Sequence, residues 1–382
     1  MRGRDSTRNR PGAGSAEGSP RRADSLRQLL HRRQLLDAVT LARQPSLRNA
    51  ALAGLQAALA MVIALPLFHF SPWPQLTGFA SLGAMVALFG RFAPERGRSR
   101  ILLMAALSQS FAVFAMSLAV WLGAPTALQL GLLALACGGF FFLTVSAGFG
   151  PPGALIFVFA AGAAMGHVDS FTVVLGRTLA TAGVAALACA ICWGMETLRQ
   201  PAAAAQRAPD DAARPLGHRL FASGRIVIGA GLAAAISHAL GGHYPAWAAM
   251  GALAVMQGGH LHVSMNRALQ RMAGTVVGAL IAWAILIQDP GFLTVAVALA
   301  ILQFTTELII GTNYAFGQVL VTPMALLMSH LAAPATAGPA MAPERVIDTL
   351  LGASLGILVA VIFSSLDDRR HLAEHHRARL DG

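Results

Sequence analysis

From residue 49 onward the chain alternates long uncharged apolar runs with short polar breaks. Twelve runs stand out, at 49–70, 75–90, 101–123, 126–147, 149–168, 171–194, 225–242, 246–259, 268–288, 291–310, 313–333 and 345–365. A straight membrane-crossing helix takes about 20 apolar residues. Most of the runs approach that length, whereas the second and the eighth fall clearly short. The pattern predicts an all-α membrane protein of about twelve transmembrane helices. Short, glycine-bearing runs at matching places in two halves are in themselves a pointer to a transport path.

The polar breaks set the domain organisation. A lead of 1–48 precedes a first six-helix half at 49–194, a linker at 195–224, a second six-helix half at 225–366 and a tail at 367–382. Within the lead, 1–23 is rich in Arg, Gly, Ser and Pro and predicts disorder. Between 23 and 43, Leu26, Leu29, Leu30, Leu36 and Val39 return at helical spacing among arginines. That stretch is either a basic amphipathic helix on an anionic leaflet or a solvated tail that enforces orientation.

Several features recur between the halves. Arg48-x5-Gly54 returns as Arg225-x5-Gly231, and the two short runs follow S-P-W-P at Trp73 and Y-P-A-W at Trp247. Gly148-Phe149-Gly150 is answered by Gly311-Thr312-Asn313, and Arg177-x3-Thr181 by Arg345-x3-Thr349. Two six-helix units of the same orientation make a parallel repeat with its axis along the membrane normal, and a pathway would lie between the halves.

Composition and charge then fix the class and the orientation. The chain is 55% hydrophobic and only 12% charged, about half the charged share of a soluble domain. All 28 basic residues are arginine, and the net charge is +11. These arginines flank apolar runs and line no soluble domain, which excludes nucleic acid as a partner. Eleven precede residue 49, Arg91, Arg96, Arg98 and Arg100 follow the second run, five lie at 195–225 and four beyond 365. An even number of runs separates these groups, so the positive-inside rule puts them all in the cytoplasm, with both termini inside. The opposite loops hold Asp169, Asp289 and Glu344. No cleavable signal is expected, because the first apolar run begins only after the arginine-rich lead. Cys137, Cys189 and Cys192 sit inside apolar runs and read as small packing residues.

The second half carries the candidate chemistry. Arg267 and Arg271 are four apart on one helix face, and Gly274 and Gly278 continue that face as a G-x-x-x-G. This describes a helix with two arginines at its aqueous end, closely packed on a neighbour. Asn313-Tyr314, Thr322-Pro323 and 345–356 follow, the last with a second glycine seam at Gly352 and Gly356. The pattern R-x-x-G-T-x-x-G, then N-Y, T-P-x-A-L-L and R-V-x-D-T-x-x-G resembles the fusaric acid resistance and aromatic acid exporter family over 225–365. The resemblance implies a bacterial inner-membrane, multi-pass efflux protein for aromatic carboxylic acids and related weak acids. The plant aluminium-activated malate channels have a similar six-helix unit and imply the alternative of passive anion conduction. Two departures stand out. Larger members carry a cytosolic domain after each half, where this chain has a short linker and a short tail. The first half has 104–108 where the second has Gly274-Thr275 and Gly278.

The remaining candidates follow from position. Arg271 and Arg267 would meet an arriving carboxylate, or simply anchor the cytosolic end. Tyr314 and Trp247 sit at run ends as belt or substrate-stacking residues, and Asn313 joins them as a candidate contact. Pro323 removes one backbone donor, so the Thr322-Pro323 kink either packs on a neighbour or bares a carbonyl to a cavity. Asp348, three residues after Arg345, should compensate its charge, whereas Arg177 has no local acid and reads as the freer cation. Glu307 is the acidic residue well inside a run. It should snorkel, pair with Arg271, or carry the proton that couples export. His260, His262, His371, His375 and His376 lack accompanying ligands, so no metal and no cofactor are expected, and no aqueous loop holds an enzyme motif. The partners this reading admits are a small organic anion, lipid, a homo-oligomer and a periplasmic adaptor.

Overall fold

The computed structural model describes residues 29, 44, 46–200, 215–258, 261–332, 338–364, 368, 369 and 372. The lead at 1–23, the stretch at 23–43 apart from Leu29, and His260, His371, His375 and His376 fall outside them. Twelve α-helices are present and no strand among the described residues. They are α1 (Leu47–His69), α2 (Thr77–Ala84), α3 (Glu95–Trp121), α4 (Thr126–Ser146), α5 (Leu155–Ala163) and α6 (Phe171–Gly194). Then follow α7 (Leu216–Ala239), α8 (Pro245–Met256), α9 (Leu261–Leu286), α10 (Phe292–Ile309), α11 (Tyr314–Ala332) and α12 (Met341–Ile362).

Local chemistry starts these helices where the sequence allows. Ser46 accepts the Asn49 amide at 3.2 Å to cap α1, and Ser170 accepts that of Val173 at 3.4 Å to cap α6. Pro245 opens α8 at the first turn, where a missing amide costs nothing.

Nine helices among the described residues are long and apolar enough to cross a membrane, and the chain is a multi-pass membrane protein. The other three, α2, α5 and α8, are too short, although the sequence suggested a crossing for each of the twelve runs. Every residue of α2 and α8 is buried, as is the middle of α5. An apolar helix covered on all sides belongs to the protein interior. The longer helices present a mixed face instead, with Leu103, Leu107 and Phe111 of α3 or Leu280 and Trp283 of α9 exposed outward. That is the surface a lipid-facing helix offers.

The closest pairings run α9 on α11, α8 on α12, α1 on α10, α4 on α7 and α3 on α6, with α9 also on α12 and α2 on α6. Glycines set several of these seams. A methyl on Gly352 would run into the Ala248 carbonyl, and one on Gly54 would come within 3.0 Å of the Phe304 carbonyl. At the arginine-rich end, Arg98 and Arg199 both ion-pair with Glu196, and Arg199 also donates to the Ala93 carbonyl at 2.7 Å. These contacts tie the start of α3 to the end of α6.

A candidate anion site between α9, α11 and α12

Tyr314, Gln318 and Thr322 recur every four residues along α11 and so share one face. That face lies on the glycine seam of α9. A methyl on Gly274 would meet the Ala315 carbonyl, and one on Gly278 would lie 2.6 Å from the Val319 carbonyl. The Val319 carbonyl is the acceptor that Pro323 cannot serve, and here it lies in the seam facing Gly278.

Close approach brings the polar stripe of α11 onto Arg271. Arg271 lies ten residues past Leu261, about 15 Å along the helix at about 1.5 Å per residue, and is 1% exposed. The sequence suggested an aqueous mouth; the side chain is instead buried between helices. Its Nη1 donates to the Tyr314 hydroxyl at 3.1 Å and to Gln318 Oε1 at 3.4 Å. Gln318 Nε2 in turn donates to Thr322 Oγ1 at 3.3 Å and Thr275 Oγ1 at 3.5 Å. Nε and Nη2 of Arg271 have no hydrogen-bond partner among the described residues. Arg267, one turn nearer the arginine-rich end, is half-buried.

The second cation comes from α12. Arg345 is 3% exposed, and its guanidinium lies 5.1 Å from the Trp247 ring centroid. Its Nε and Nη1 have no hydrogen-bond partner among the described residues. Arg271, Asp348 and Tyr314 all lie within electrostatic range of it. Asp348 does not form the expected ion pair with Arg345. Its Oδ1 accepts the Ser237 hydroxyl from α7 at 2.7 Å, and its Oδ2 is buried without a hydrogen-bond partner among the described residues.

Other candidates take different places. Trp247 is not a belt residue: it is 4% exposed, with Tyr244 stacked on it at 4.4 Å as well as Arg345. Asn313 Oδ1 accepts the Ala315 amide at 2.8 Å, closing the first turn of α11. Arg177 is not a free cation. It donates to the carbonyls of His167 at 2.8 Å and Gly166 at 3.1 Å and stacks on Phe79 at 4.8 Å. Glu307 pairs with Arg91, from the loop after α2, and not with Arg271. Burial pushes the Arg91 guanidinium down to about 10, which still leaves it charged at neutral pH. Asn49 Nδ2 approaches the Arg91 carbonyl at 3.4 Å.

Sequence reasoning missed Gln318 and Ser237. The four-residue recurrence of Tyr314, Gln318 and Thr322 was a readable signal for the first. Nothing local marked the second. Among the described residues no group of three or more His, Cys, Asp or Glu could hold a metal ion.

Residues 232–359, which contain all these α9, α11 and α12 groups, match the family model described as fusaric acid resistance protein-like. The chain is also similar to the uncharacterized membrane protein YvaC of Bacillus subtilis (strain 168), at 34% identity over 139 residues. That match covers 36% of this chain and 22% of the relative, so it spans little more than a fifth of the relative's length. No solved structure matches.

Proposed function

We propose that this chain is a bacterial inner-membrane transporter that exports small organic anions, aromatic carboxylates foremost, through the site between α9, α11 and α12. The observation that carries the reading is the pair of buried guanidinium groups of Arg271 and Arg345, each with two nitrogens that have no hydrogen-bond partner among the described residues. A buried, uncompensated charge costs several kcal/mol. A carboxylate compensates it, and guanidinium binds carboxylate through paired N–H donors. With two arginines and one carboxylate the cluster stays net positive whether or not Asp348 is ionised, so an anion is the ligand its charge calls for. The family description supports the substrate class, since fusaric acid is itself an aromatic carboxylic acid.

The architecture in this reading is two parallel six-helix halves with both termini in the cytoplasm, in which the buried α2, α5 and α8, with their flanking turns, count as passages across the bundle although none is long enough for a straight span. The pairings support the repeat, because α1 on α10 is answered by α7 on α4, α2 on α6 by α8 on α12, and α3 on α6 by α9 on α12, and the arginine distribution supports the orientation. The halves differ at the site. Arg177 stands where the repeat puts Arg345, and backbone carbonyls engage it. One anion site per chain follows.

The energy source need not be a proton. A cell interior negative by 100 mV drives a monoanion outward with about 2.3 kcal/mol. Glu307 keeps its ion pair with Arg91 in this scheme and clasps the α2 loop to α10.

Flux of benzoate through proteoliposomes tests the proposal. Arg271→Gln and Arg345→Gln should each cut saturable flux by about tenfold or more, the loss of about 1.4 kcal/mol of binding per decade. Wild-type flux in both folded variants overturns the site. A non-saturating, ohmic current would move the reading to a passive anion channel.

A further inference from the structure

We propose that Asp348 is the proton-operated competitor of the transported anion: ionised, it offsets Arg345, and protonated, it leaves Arg345 to the substrate carboxylate. The inference rests on the anion-site reading above. Asp348 is one turn from Arg345 on α12 and 2% exposed. Ser237 occupies its Oδ1, so the proton belongs on Oδ2, which accepts no hydrogen bond from any described residue. Arg345, likewise, has two nitrogens without a hydrogen-bond partner among the described residues and closes no ion pair with its neighbour. Two cations and one carboxylate thus sit together in a medium that screens them weakly, and an incoming carboxylate is repelled by Asp348 only while Asp348 is charged.

The groups around Asp348 are few. Its own helix supplies Arg345 and Glu344, both within electrostatic range. α9 supplies Arg271, which reaches the set through Arg345. α8 carries no titratable side chain; Tyr244, just before it, gives its amide to Glu344 at 2.8 Å. On α7, His238 follows Ser237 and is exposed. His243, between α7 and α8, also gives its amide to Glu344, and its ring is 82% exposed. Glu344 lies one turn beyond Asp348 toward the helix start and is half-buried.

Proton and anion therefore help each other, and by linkage each favours the other by the same factor. Benzoate stays ionised well above its carboxyl range of about 4, so its affinity can be read between about pH 6 and pH 8. Wild-type protein in nanodiscs should bind benzoate about tenfold more tightly at the lower pH, within the roughly 5–150-fold span of such couplings. Asp348→Asn should bind tightly at both, within about twofold. A wild-type pH dependence persisting in Asp348→Asn, as titration of His238 or His243 would give, overturns the inference. A second reading needs no variant: benzoate added to wild-type protein in weak buffer at neutral pH should draw protons from solution, and no uptake overturns it equally. Arg271→Gln separates the two levels. If it binds benzoate as wild type does, the anion site itself is wrong. If it abolishes binding while Asp348→Asn changes nothing, only the role of Asp348 falls.

Discussion

Arg91 and Glu307 form a buried ion pair across 216 positions of sequence. It joins the loop after α2 to the last turns of α10, and Gln44 Nε2 adds a bond to the neighbouring Leu308 carbonyl at 2.7 Å. A clasp of this kind holds elements together through mutual compensation, and removing one member leaves the other charged and dry.

Glu307→Gln should therefore destabilise the protein by about 3–5 kcal/mol, the usual cost of stranding a buried charge. Arg91→Gln combined with Glu307→Gln should lose less than the single variant. Thermal unfolding in detergent reads both. Benzoate flux per folded molecule should stay at the wild-type level. Loss of gradient-driven transport with exchange intact would instead make Glu307 a proton carrier.

The glycine seam gives a second, steric prediction. An alanine at Gly274 must displace the Ala315 backbone carbonyl and the Gln318 side chain, which cannot yield without parting α9 from α11. Overpacking of this kind costs about 1–3 kcal/mol. It also loosens the hold of Tyr314 and Gln318 on Arg271, so benzoate affinity falls with stability. Gly183 of α6 is the control, since a methyl there meets nothing within 4 Å. Gly183→Ala should be neutral or gain up to about 1 kcal/mol from helix propensity.

The twelve helices were legible because apolar run length is a local signal, and the short second and eighth runs already stood apart. The seams at Gly274, Gly278, Gly352 and Gly356 were legible too, since small residues four apart have few other uses. Partners were not. Asp348 three residues after Arg345 suggested a pair, but Ser237, 111 positions away, takes the carboxylate. Arg177 lacked a local acid and looked free, yet backbone carbonyls from the turn before α6 engage it, and carbonyls leave no mark in a sequence. Arg91 looked like one more positive-inside arginine until the fold brought Glu307 to it.

Arg177 accordingly predicts a structural variant. Hydrogen bonds from a charged donor are worth about 1.5–3 kcal/mol each, and Arg177→Gln loses those to Gly166 and His167. The thermal midpoint should fall while the benzoate dissociation constant of the folded fraction stays within about twofold of wild type. Weakened binding with unchanged stability would return Arg177 to the anion path.

Trp247 is placed to hold Arg345 rather than the substrate. The guanidinium lies over its ring at 5.1 Å, and Tyr244 stacks on the same ring at 4.4 Å. A desolvated cation–π contact is worth about 2 kcal/mol, enough to fix a side chain whose Nε and Nη1 make no hydrogen bond to any described residue. Truncation to alanine would confuse this with a cavity of about 3–5 kcal/mol, so the informative pair is Trp247→Phe and Trp247→Leu. Phenylalanine keeps a π face under the guanidinium, whereas leucine keeps apolar bulk without one. Both should lower the thermal midpoint by similar amounts. Benzoate affinity should hold within about threefold for phenylalanine and drop by about tenfold for leucine, as loss of most of the contact requires at about 1.4 kcal/mol per decade. Equal affinities in the two variants would mean that the ring supplies only volume, and that Arg345 is aimed by something other than Trp247.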